Sequence, residues 1–112
     1  MKPNRDFYCL KEIIGYCDKI QKILSKFNSN YEIFLNSLEY QYSISFCIFQ
    51  IGECCNSLSD EFKNTHTHVE WRVIIGMRNI IVHDYGNVDL KKVWNTAIYD
   101  IPELKNNCEE ML

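Results

Sequence analysis

Residues 31–58 read YEIFLNSLEYQYSISFCIFQIGECCNSL, and this stretch decides the fold class. Phe34, Leu38, Tyr42, Phe46 and Phe49 repeat at three–four spacing on one sector. Ile44, Ile48, Ile51 and Leu58 occupy another. No strand alternation fits this pattern, whereas a helix that is apolar on nearly every side does, and such a helix must be covered on more than one side. The spacing predicts one long helix over Tyr31–Leu58, lying centrally in the domain or at an interface between two copies.

The flanking sequence is helical too. Phe7, Leu10, Ile14, Cys17, Ile20, Leu24 and Phe27 define a helix from Asp6 to Phe27, closed by the Asn28-Ser29-Asn30 break. A polar loop is expected over Ser59–Val69, with His66 and His68 exposed in it. A third helix follows over Glu70–His83, ended by Gly86-Asn87. Asp89 has the character of an N-cap for a fourth helix through Asp100, and Pro102 predicts a kink or new start near Ile101. The expectation is all-α: an antiparallel four- to five-helix bundle, one domain over residues 1–112.

Composition narrows the function classes. With 46% hydrophobic residues and 13% aromatics, the chain can bury a real core and is not a disordered segment. A net charge of −3 argues against coating nucleic acid by bulk charge, though not against gripping RNA at one local site. Residues 28–62 carry five acids and no Lys or Arg, so this middle segment should be covered by the rest of the chain or by a partner. The N-terminus reads as no signal peptide, and the longest apolar run, Ile44–Ile51, is too short to span a membrane. Six cysteines at mostly apolar positions read as reduced, buried thiols of a cytoplasmic protein. Cys54-Cys55 with His66 and His68 match no common zinc spacing, and no metal or cofactor is called for.

The third helix carries the chemistry. With 100° per residue and Arg78 at zero, Arg72, Gly76, Asn79 and His83 fall between about 100° and 160°, forming a polar stripe. A solvated helix edge would look the same. Arg78 fits that reading badly, because it shares a sector with Trp71 and Val82. A guanidinium there needs a carboxylate, a phosphate or a route to water. Glu53, on the otherwise apolar second helix, is its candidate partner, and a purely structural Arg–Glu tie would account for both residues. Gly52 and Gly76 would permit close helix approach. Lys91-Lys92 read as a solvated first turn that could hold an RNA backbone.

Arg78-Asn79-Ile80-Ile81-Val82-His83-Asp84-Tyr85 resembles the R-x-x-x-x-H signature of the HEPN superfamily of small α-helical ribonucleases. The extension to Tyr85 is similar to the HepT-type toxins, as are Ile51-Gly52-Glu53, Trp71, Ile75-Gly76-Met77 and Val88-Asp89 through Trp94. The resemblance covers roughly residues 5–105. It implies metal-independent RNA cleavage by a homodimer whose two motifs face one cleft. It also implies a minimal nucleotidyltransferase antitoxin as partner, able to transfer AMP to Tyr85.

Elementary chemistry agrees. RNA brings its own nucleophile, the 2′-hydroxyl, and needs a base, an acid and charge stabilisation at phosphorus. His83 can serve as base or acid near neutral pH. Arg78 supplies a forked, permanent cation, and Asn79 is placed to orient the imidazole or a phosphate oxygen. One motif holds one histidine, so a dimer would supply one for each proton transfer. The competing expectation is a non-catalytic helical module of the same fold, binding a nucleotidyltransferase partner or a nucleotide.

Overall fold

Asn4 starts the first helix. Its side chain accepts a hydrogen bond from the Phe7 amide at 2.9 Å, and α1 then runs Arg5–Lys26. The computed structural model describes residues 4–83 and 88–112, with backbone alone for 79–83. Cys9, Leu10, Ile13, Cys17, Ile20 and Leu24 form the buried stripe of α1. The chain leaves it through Asn28 and Ser29, both at positive φ (56° and 49°), and the Ser29 amide donates back to the Leu24 carbonyl at 2.7 Å.

The expected continuous helix over Tyr31–Leu58 is in fact two. α2 spans Tyr31–Asn36 and α3 spans Leu38–Ser57, separated by Ser37 in an extended conformation. Local hydrogen bonding explains the break. The Ser37 hydroxyl accepts from the Tyr40 amide at 3.1 Å, capping α3. Buried Gln41 donates its side-chain amide to the Phe34 and Leu35 carbonyls at 2.9 and 3.2 Å, satisfying the end of α2. Apolar periodicity continues through such a joint, so pattern alone does not reveal it.

The expected loop over Ser59–Val69 also contains a helical turn, α4, Asp60–Thr65, capped by Ser59. Ser59 is itself held by Asp6, whose two carboxylate oxygens accept from its amide and hydroxyl at 2.8 and 2.7 Å. That link joins the start of α1 to the end of α3. At the other end Phe27 stacks on Tyr40 at 4.2 Å, so α1 and α3 run antiparallel.

α5, Trp71–His83, packs on α3; its Trp71 indole donates to the His66 carbonyl at 3.0 Å. The Gly86-Asn87 stop lies outside the described residues. Asp89 caps α6, Leu90–Asn95, by accepting from the Lys92 amide, as its position predicts. In place of a simple kink, a π-helical stretch Thr96–Asp100 leads into α7, Ile101–Met111. The Ile101 amide reaches back five residues to the Thr96 carbonyl, and Pro102 has no amide proton to restore the α pattern. Among the described residues the chain is all-helical, as expected. α3 is central, flanked by α1 and α5, while α7 lies on α1. No helix among the described residues is long and apolar enough to cross a membrane.

Candidate functional site

The site is built where α3 and α5 come closest. Gly52 has no side chain, and a Cβ placed there would stand 3.1 Å from the Arg78 Cβ and 3.4 Å from the Ile74 carbonyl oxygen. Gly52 therefore admits the α5 backbone, and with it Arg78, to a distance that a larger residue would not allow. Gly76, assigned the same role from sequence, does not have it: nothing lies within 4 Å of the position its Cβ would take.

One residue beyond Gly52, Glu53 receives the Arg78 Nη1 donor at 2.7 Å. The predicted tie is thus present, but it is not a deeply buried one. The side chains retain 26% and 44% of their exposure. The apolar sector suggests a buried tie; instead the guanidinium reaches the edge of the helix pair. The Arg78 Nε is buried and has no hydrogen-bond partner among the described residues. Glu53 thus holds the guanidinium through Nη1, and a guanidinium in this partly exposed setting is a group that can meet a phosphate.

The remaining sequence-derived residues fare differently. Asn79 and His83 belong to α5, but their side chains lie outside the described residues, and so does the whole of Tyr85. Arg72 is exposed in the first turn of α5. Six residues separate it from Arg78, about 9 Å along the helix and on another face, so it does not join the Arg78–Glu53 pair. His66 is half-buried, stacked on Phe62 at 4.2 Å with its Nδ1 2.9 Å from the Phe62 carbonyl, and so serves the α4 corner; His68 is exposed as expected. Lys91 is exposed with its ammonium 5.7 Å from the Tyr31 ring centroid. Among the described residues, no group of three or more His, Cys, Asp or Glu is placed to hold a metal.

The cysteines behave as buried apolar residues. Cys9, Cys17, Cys47, Cys55 and Cys108 are buried, Cys54 is half-buried, and all six are unpaired. Desolvation pushes the Cys17 and Cys108 thiols up to about 12 and Cys54 to about 11, and raises Cys55 well above the ordinary value. None is a thiolate nucleophile at neutral pH.

Comparison with known proteins adds the chemistry's context. Residues 13–111 match the family described as ribonuclease HepT-like. The chain is 32% identical over 111 residues to "Putative RNase MJ1216" of Methanocaldococcus jannaschii, covering 98% of this chain and 90% of that protein. A second protein of that organism, "Putative RNase MJ0125", is 32% identical over 98% of this chain and 94% of its own length. "Probable ribonuclease HepT" of Thermococcus cleftensis is 32% identical over 72% of this chain and 74% of its length. No solved structure matches.

Proposed function

The chain belongs to the HepT-like ribonucleases, RNA-cleaving enzymes, and from that premise we propose that it is a metal-independent endoribonuclease acting as the toxin of a toxin–antitoxin pair. The observation that carries the reading is the guanidinium of Arg78. It is anchored by Glu53 at 2.7 Å and remains partly open to solvent.

In this reading His83 removes the proton of the ribose 2′-hydroxyl, whose oxygen attacks the adjacent phosphorus. The bond from phosphorus to the 5′-oxygen breaks, and the departing oxygen takes a proton from His83 of the partner subunit. Arg78 stabilises the charge that builds on the phosphoryl oxygens, and Asn79 orients the imidazole or a phosphate oxygen. The products are a 2′,3′-cyclic phosphate and a 5′-hydroxyl. Tyr85 is the acceptor for AMP from a minimal nucleotidyltransferase antitoxin. The added anion would stand where an RNA phosphate must approach Arg78, and would repel it.

The homodimer in this reading has support on α3. Leu38, Tyr42 and Phe46 stand one turn apart on its outer side and are 63%, 52% and 56% exposed. They lie in the segment without Lys or Arg, and their row leads along α3 toward Glu53. A large exposed apolar row of this kind marks an interface, and a second copy here would bring two motifs near one cleft.

The test is incubation of purified protein with total RNA in excess chelator, with analysis of product ends. Cleavage to cyclic-phosphate termini is expected. Activity lost in chelator and restored by magnesium would refute the metal-independent scheme.

A further inference from the structure

A trough of about 380 Å³ opens between α5 and α7, away from Arg78 and Glu53. Its floor is Ile48 and Ile51 of α3, with Met77 of α5 and Leu104 of α7 on the walls, all buried in the body of the domain. At the mouth stands Val73, an aliphatic side chain left 58% exposed. Glu70, Asp100 and Glu103 form the rim, all exposed. Among the described residues no Lys or Arg lines the trough, His68 is the one basic side chain that does, and none of the three carboxylates is in an ion pair or side-chain hydrogen bond.

The π-helical stretch helps to shape this opening. Thr96 and Asp100 begin and end it, and both line the trough. The extra residue in that turn widens the backbone between α6 and α7, a feature that recurs at functional sites.

We propose that the trough docks an amphipathic helix of a protein partner whose aliphatic stripe is flanked by Lys or Arg. The apolar floor and the exposed Val73 call for aliphatic side chains. The unpaired carboxylates call for cations at their margins, which fixes the sign of the partner's charge. A trough of this volume takes a few aliphatic side chains rather than a whole helix. The partner would therefore lie across the mouth and insert one face, with α5 and α7 as the two walls. RNA is the wrong occupant, because its phosphates would meet three carboxylates. A second copy is a poorer fit: the basic helix of this chain, α1, commits its apolar stripe to its own core.

The experiment uses the full chain and two labelled helical peptides with the same leucine stripe, one flanked by lysines and one by glutamates. Fluorescence anisotropy should show the lysine peptide binding about tenfold more tightly or better, as expected for several rim charges acting together. Glu70→Lys with Glu103→Lys should abolish that preference, and Val73→Arg should weaken binding of the lysine peptide. Helicity should be retained in each, with an unchanged melting temperature for the exposed Val73→Arg and a drop of a few degrees for the double variant, whose two acids stand at the N-terminal ends of α5 and α7. Equal binding of the two peptides would overturn the proposal, as would full binding by Val73→Arg. So would sedimentation showing that Val73→Arg dissociates an oligomer while neither peptide binds, since a second copy would then be the occupant. These readouts do not depend on RNA cleavage, so their failure is separate from failure of the ribonuclease mechanism.

Discussion

Replacing Gly52 by alanine sets two effects of similar size against each other. In a free helix the change is favourable by roughly 1 kcal/mol, because glycine loses more backbone freedom on folding. Here the new methyl would sit 3.1 Å from the Arg78 Cβ and 3.4 Å from the Ile74 carbonyl oxygen. Both are fixed to the α5 backbone, so relief requires moving the helix and not merely a side chain. Overpacking of this kind typically costs about 1–3 kcal/mol, which outweighs the propensity gain and leaves a net loss near 1 kcal/mol. Gly15 and Gly76 are internal controls, with nothing within 4 Å of their Cβ positions. Their alanine variants should gain about 0.5–1 kcal/mol. Thermal melts followed by circular dichroism should therefore diverge, with Gly76→Ala rising and Gly52→Ala falling, each by about 4 °C. RNA cleavage should fall in Gly52→Ala, since Arg78 is carried with α5. A Gly52→Ala protein that melts higher than wild type and cleaves normally would show that the close approach does not position the arginine.

Glu53→Gln should cost less than about 1 kcal/mol in a denaturant melt, since the pair is partly exposed, yet lower cleavage about tenfold or more by freeing the guanidinium; equal activity would make the tie purely structural. Burial raises the thiols of Cys17, Cys54, Cys55 and Cys108 above their ordinary value near 9. The unfolded chain releases these protons first, so stability is full below pH 9 and declines as pH rises toward 12, by at most about 1.4 kcal/mol per pH unit for each thiol. A Cys17→Ala, Cys108→Ala variant with an unchanged alkaline slope in denaturant melts would refute that assignment. His83→Ala should abolish cleavage while retaining helicity and melting temperature; a large drop in melting temperature would instead mark the residue as structural. Tyr85→Phe should keep much of the activity and carry no AMP-sized adduct after co-expression with a nucleotidyltransferase, as read by intact mass; equal silencing without an adduct would defeat the modification scheme.

Periodicity was enough to establish an all-helical chain, because three–four spacing of apolar residues is a local property that burial merely completes. The caps at Asp89 and the break at Asn28–Asn30 were equally legible, since short polar side chains satisfy nearby amides. The Arg78–Glu53 pair could be named in advance because a guanidinium in an apolar sector demands an acceptor, and Glu53 stood out on the apolar second helix. The joint at Ser37 was not legible: it depends on Gln41 folding back onto the carbonyls of α2, which keeps the hydrophobic pattern intact while breaking the helix. Tertiary structure alone separated Gly52 from Gly76. Both are glycines within helices, but what a missing side chain permits depends on the surface opposite, and only Gly52 faces another backbone at contact distance. The trough between α5 and α7 belongs to the same class, because its floor, walls and carboxylate rim come from segments distant in sequence and exist as a surface only once the helices have packed.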